Sequence, residues 1–144
     1  MENNILDQSS ISRSQLEYAS FWVRFLAITI DGLLLGTINY AFASIFGVDQ
    51  NQFGPYQGFT ILLYWLYFAY FESSDKQATL GKQAMSIKVT DLNGERISFA
   101  QATGRHFSKI LSVLIIFIGY IMAAFTEKKQ ALHDMIVGTL VVKN

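Results

Sequence analysis

An arginine and an aspartate stand inside the first long apolar run of this chain: Arg24 and Asp31, within the stretch Phe21-Trp-Val-Arg-Phe-Leu-Ala-Ile-Thr-Ile-Asp-Gly-Leu-Leu-Leu-Gly36. An ionisable group at bilayer depth costs from ~3 kcal/mol on insertion scales to more than ~10 in simulations of isolated helices, so such residues normally face protein or water and carry a job. Seven positions are about two helical turns, which returns Asp31 to nearly the face of Arg24, ~10 Å deeper. Arg24 is near enough to the helix start to snorkel to the interface. Asp31 is too short for that. It is either a titrating or cation-binding carboxylate, or a packing group bonded to a base on another segment, with Arg105 and Lys109 the candidates. Asn39, eight residues on, falls within about 80° of Asp31 and extends the polar face. Gly32 and Gly36 form a G-x-x-x-G, the spacing that lets helix backbones approach, here for contact with a second helix or a second copy.

The other polar pair of interest is His133-Asp134. Asp134 is placed to pair with a cation such as Arg105, and His133 to hydrogen-bond at an interface. No H-E-x-x-H, serine elbow or ligand-spaced cluster accompanies them, so neither a catalytic residue nor a metal site is expected. Gly81-Lys82 follows no strand and precedes no Ser or Thr, which argues against a phosphate loop. The chain has no cysteine, which removes disulfides, thiolate metal sites and cysteine nucleophiles. Formal charge is zero and the longest basic run is Lys128-Lys129, so nucleic acid is not an expected partner. No cofactor is expected, and the chain does not read as an enzyme.

The elements that position these residues are membrane elements. Of 144 residues, 51% are hydrophobic and 15% charged, more apolar than an ordinary soluble domain. The excess is concentrated: Gln50 to Phe71 and Ile110 to Thr126 carry no charge, and Gly32 to Val48 adds none to Asp31. The first residues show no basic start ahead of a short apolar core, so no signal peptide is expected. Basic residues precede the first span, recur six times from Lys76 to Lys109 and return at the end, with none between Val48 and Phe71. The positive-inside rule then puts the loop around residues 49–56 outside, and the N-terminus and residues 72–109 in the cytoplasm. Two antiparallel transmembrane helices follow, the second rich in aromatic residues that suit interfacial anchoring and ring packing.

A polar tail, residues 1–17, thus precedes a single membrane domain, 18–144, mainly α-helical. Ser86 to Asp91 and Glu95 to Phe99 both alternate polar and apolar around Asn93-Gly94, a type I′ turn signal, and predict a cytoplasmic β-hairpin. Ser98 to Gln101 reads as a capping box that starts a helix. The β-branched run Gly138 to Lys143 is the natural third strand. Ile110 to Thr126 is at the lower limit for a crossing and basic on both flanks. A re-entrant excursion, broken near Gly119 and returning to the cytoplasm, is favoured slightly over a third span.

These residues together resemble the RDD family of small bacterial membrane proteins, named for one arginine and two aspartates. The resemblance is carried by Tyr18-Ala-Ser-Phe-Trp-Val-Arg24, Ile30-Asp-Gly32, Gly81-Lys82 leading to Ile87-Lys-Val-Thr-Asp91, and Leu132-His-Asp134 with Gly138-Thr-Leu-Val-Val142. Arg24 and Asp31 match the family's arginine and first aspartate, and Asp134, ahead of Asp91, its second. The family often has Thr-Pro-Gly-Lys where this chain has Thr79-Leu-Gly-Lys82. The resemblance implies a multi-pass protein of the bacterial cytoplasmic membrane with transport proposed. Two classes of function follow. One is an ion- or proton-coupled transporter subunit, a homo-oligomer because so few helices cannot enclose a pathway, with Asp31 handling a monovalent cation or proton. The other is a non-transporting accessory or scaffold protein whose charges assemble the fold.

Overall fold

The computed structural model describes residues 16–114 and 121–144. Its first helix, α1, runs Phe21–Phe46. Ser20 starts it, its hydroxyl oxygen accepting the Val23 N–H at 3.5 Å, and Gly47, at φ 64°, ends it with the left-handed turn that suits glycine. At 26 residues it is ~39 Å long, and of the described helices it is the one that combines the length and the mean hydropathy typical of a membrane span. Only Arg24, Ala27, Asp31 and Ala43 of α1 are buried, while Trp22, Leu33, Tyr40 and Ile45 are more than two-thirds exposed. Apolar residues on the outside and charges on the inside invert the order of a soluble fold.

Pro55 opens α2, Pro55–Ser73, where its missing N–H costs nothing. The Tyr56 hydroxyl donates to Asn39 Oδ1 at 2.5 Å, that of Thr60 to the same oxygen at 3.3 Å, and that of Tyr67 to Asp31 Oδ1 at 2.8 Å. Residue numbers rise along α2 as they fall along α1, so the two helices are antiparallel as expected. Rings fill the spaces between elements, as where Trp65 lies 5.9 Å from Phe99 and 6.3 Å from Phe107.

Beyond α2 come a short helix α3 (Leu80–Ala84), strand β1 (Ile87–Asp91), helix α4 (Phe99–Leu114), a 3₁₀ turn (Met122–Ala124), helix α5 (Leu132–Val137) and strand β2 (Thr139–Lys143). The helix expected after Ser98 forms, with Gln101 N–H on Ser98 Oγ and Ser98 N–H on Gln101 Oε1, both at 3.1 Å.

The hairpin does not form as the alternation suggested. β1 pairs antiparallel with β2, Ile87 opposite Lys143 and Asp91 opposite Thr139. Residues 95–98 are not strand. The second edge of β1 is already taken: Val89 donates to Gln77 O at 2.8 Å and accepts from the Gln77 side-chain amide at 2.9 Å. The turn at Asn93-Gly94 exists, but only Gly94 has positive φ, 86°, so it is not type I′. Asp91 holds it instead, its Oδ1 accepting from the N–H groups of Asn93 and Glu95. The third strand-like segment is the entry to α1, where Tyr18 bridges Val142 and the Ala19 N–H donates to Val141 O at 2.9 Å.

This sheet gathers the start of α1, the segment after α2 and the chain's last strand at one end of the molecule. α5 packs against α4 and leads into β2, which joins this sheet. The break expected near Gly119 lies outside the described residues.

The tightest approach to α1 comes from α3. A Cβ built on Gly81 would sit 2.2 Å from the Ala27 carbonyl oxygen, whereas one on Gly32 or Gly36 meets nothing within 4 Å. Among the described residues Gly32 and Gly36 therefore make no close helix-packing contact, and α1 meets α2 through side chains such as Asp31 and Asn39. Gly81→Ala is expected to lower stability in detergent by ~3 kcal/mol or more, since backbone cannot yield as a side chain does. Gly32→Ala and Gly36→Ala should leave the monomer's thermal midpoint within about a degree or two. Equal midpoints for Gly81→Ala and wild type would contradict the docked loop.

Candidate charged site

Two clamps are built on the inner face of α1. The deeper one holds Asp31, which is fully buried. Its Oδ1 accepts from the Tyr67 hydroxyl and the Gly81 N–H, each at 2.8 Å, and its Oδ2 from the Thr79 hydroxyl at 2.5 Å. Thr79 serves twice, because its oxygen also accepts the Lys82 N–H at 3.4 Å and so caps α3. All three donors are uncharged. The expected partners Arg105 and Lys109 make no ion pair with Asp31 among the described residues. Asn39 belongs to neither clamp and instead pins α1 to Tyr56 and Thr60 of α2.

The shallower clamp is an ionic chain. Arg24 Nη1 reaches Asp134 Oδ2 at 2.5 Å. Arg105, from α4, binds the other oxygen of Asp134 through Nε at 2.9 Å and Nη2 at 2.7 Å, and lies 2.7 Å from Glu72 Oε2 through Nη1. Lys82 bonds Glu72 Oε1, and Lys109 stands 3.7 Å from the same oxygen and 4.4 Å over the Phe68 ring. Asp134 also accepts the Ala131 N–H at 3.1 Å and so starts α5. Five segments of chain, α1 to α5, thus meet through two buried carboxylates. Removing one partner strands a buried charge, a loss of ~3–5 kcal/mol.

Asp134 pairs with Arg105, and with Arg24 as well. Arg24 and Asp31, on one face of α1, share no direct hydrogen bond or ion pair among the described residues: one turns to α4 and α5, the other to α2 and α3. Asp91 stands apart at the turn, so Asp134 is the aspartate of this site. Glu72, Lys82, Tyr67 and Thr79 were missed by sequence reasoning. Glu72 carried a signal, being the first charge after an uncharged run of more than twenty residues. The hydroxyls carried none.

Burial pushes the Lys82 ammonium down to about 7, with Arg105 and Lys109 adding to the shift and Glu72 opposing it. For Asp134 burial alone would raise the carboxyl, but Arg105, His133 and Arg24 hold it well below the usual carboxylate range. His133, buried, faces Ser112 Oγ at 3.4 Å through Nδ1 and Asp134 Oδ1 at 3.5 Å through Nε2. Burial lowers it to about 3, Arg105 and Lys109 lowering it further while Asp134 and Glu72 act the other way. Between its ordinary 6.5 and about 3, the unfolded chain binds a proton there that the folded chain does not, so stability rises with pH across this window. Asp134 adds the same sign below ~4. The thermal midpoint in detergent should fall on acidification from pH 7 to 4, and His133→Gln should lessen the decline above ~4.5, with His106, lowered by burial to about 4, supplying the remainder. A midpoint independent of pH over that range would contradict a neutral buried His133.

The sequence model of the RDD family matches residues 18–138. Two proteins of Bacillus subtilis (strain 168) are similar to this chain over most of their length. One, named an uncharacterized protein, YxaI, is 37% identical over 86% of this chain and 96% of its own. The other, named an uncharacterized membrane protein, YteJ, is 34% identical over 87% of this chain and 80% of its own. No solved structure matches the chain. With Arg24 and Asp134 paired in one buried clamp and Asp31 held in the other, this chain belongs to the RDD family.

Proposed function

We propose that this protein is a multi-pass protein of the bacterial cytoplasmic membrane that acts as a non-transporting accessory or scaffold, its charged residues assembling the fold. α1 and α2 cross the lipid bilayer as an antiparallel pair, with the N-terminus, the sheet and the C-terminus in the cytoplasm. Support for the crossing comes from the exposed apolar surface of α1, the family match and the membrane protein named among its relatives. The stretch after α4 is read as a re-entrant excursion, supported by the β1–β2 pairing.

One observation carries the scaffold reading. Asp31 is fully buried and both of its oxygens are occupied by hydrogen-bond donors fixed on α2 and α3, whereas a carboxylate that exchanges cations needs an open position. The transporter reading retains a specific support of its own: Asp31 is held by uncharged donors alone, so its charge is not cancelled by a bonded base, and hydroxyl oxygens of Tyr67 and Thr79 stand beside it. Under that reading the exposed Gly32-Gly36 face of α1 would join copies into a homo-oligomer.

The chain has no native cysteine, so single cysteines report sidedness directly. Asn51→Cys and Lys143→Cys should label with an impermeant thiol reagent from opposite faces of the membrane, Lys143→Cys from the cytoplasm. Labelling of both from one side would overturn the two-crossing arrangement. In proteoliposomes, wild type should show no proton-linked flux above empty vesicles under Na⁺, K⁺ or Li⁺ gradients. Flux abolished by a correctly folded Asp31→Asn variant would replace the scaffold reading with the transporter.

A further inference from the structure

Beside the ionic clamp lies a cleft of about 410 Å³ whose lining combines four cationic side chains, Arg24, Lys82, Arg105 and Lys109, with apolar ones that include Phe25, Ile28, Val113 and Ile121. Neither Glu72 nor Asp134, the carboxylates paired with those four cations, lines the cleft. Even with Asp31 counted, four cations face three carboxylates. A buried excess of positive charge is costly unless an anion completes it.

A second observation, independent of the count, comes from Arg24. Its side chain is only 9% exposed. Its Nη1 is spent on Asp134 and its Nε donates to the Ala19 carbonyl at 3.3 Å. Among the described residues its Nη2 has no hydrogen-bond partner, though it is buried in a side chain that lines the cleft. A guanidinium fork with one prong unused is suited to an oxyanion.

We propose that this cleft binds an acidic phospholipid, its phosphate against Arg24 and the neighbouring bases and an acyl chain along Phe25, Ile28 and Val113. The proposal rests on the membrane reading above. Arg24 is one turn inside the Ser20 end of α1, the end placed at the cytoplasmic interface, where anionic headgroups are available to juxtamembrane bases. The apolar lining favours a lipid over a free phosphate, because inorganic phosphate would leave that lining uncovered.

The test uses the full chain in neutral detergent, with bound lipid counted by native mass spectrometry and thermal midpoints measured in parallel. The probes are phosphatidylglycerol, phosphatidylcholine and inorganic phosphate. Wild type should retain about one phosphatidylglycerol per chain, preferred over phosphatidylcholine about tenfold, and inorganic phosphate should not reproduce its stabilisation. Arg24→Gln should abolish the preference. Because that change also removes the Asp134 pair, Val113→Trp, which narrows the cleft and leaves every charge in place, should reduce phosphatidylglycerol retention about tenfold in a folded protein. Equal binding of the two lipids, or full retention in Val113→Trp, would overturn the proposal. Stabilisation by inorganic phosphate alone would overturn the lipid and leave a small-anion site. A chain that labels correctly across the membrane yet ignores phosphatidylglycerol would refute this site alone, whereas one that fails the labelling test would refute the membrane reading beneath it.

Discussion

One guanidinium holds this structure together. Arg105 is shared between Glu72, at the end of α2, and Asp134, at the start of α5, while Asp134 in turn takes Arg24 from α1. Each of these charges is buried, and each is tolerable only because the others are present. An isolated charge out of water costs several kcal/mol, and the attraction between partners repays that only in good geometry with further hydrogen bonds. Here the geometry is good: two Arg105 nitrogens converge on one Asp134 oxygen at 2.9 and 2.7 Å. The clamp therefore enforces the arrangement of all four segments together.

The Asp31 clamp works by a different route. Its donors are hydroxyls and a backbone N–H, so no second charge is desolvated, and the attachment depends on close approach. That is why Gly81 matters, since its missing Cβ lets the backbone of α3 lie against Ala27 and bring its N–H to Asp31. Thr79 links the attachment to the helix it starts, and Lys82, in the same short helix, ties that helix to Glu72. α3 thus joins the two clamps, although no bond joins Arg24 to Asp31.

With the polar interior fixed in this way, the rest of α1 and α2 is free to be apolar on the outside. The hydrophobic core proper is small, centred on Ile87, Val89, Ile97 and Val141 with alanines at the helix crossings. Against so small a core, the ionic pairing fixes which segments meet, since its attraction is largely spent on desolvation. The uneven sharing of charge within the ionic clamp, with more cations than carboxylates around the cleft, follows from the same construction.

The sequence by itself determined the elements whose signals are local. The antiparallel helices followed from uncharged length and the placement of bases, the start of α4 from the Ser98 capping box, the prominence of Arg24 and Asp31 from the cost of burying charge, and that of Asp134 from the family resemblance. Tertiary structure alone decided who pairs with whom. The alternation at Glu95 to Phe99 was a genuine strand pattern, yet β1 takes β2 and Gln77 as its neighbours, and an alternating pattern does not encode which edge is already occupied. Tyr67 and Thr79 were invisible because a hydroxyl is an ordinary residue until a carboxylate is brought to 2.8 or 2.5 Å from it. Gly32 and Gly36 had the spacing for close packing, but Gly81 makes the approach, because backbone contact depends on where a loop returns, and that is set by partners fifty residues away.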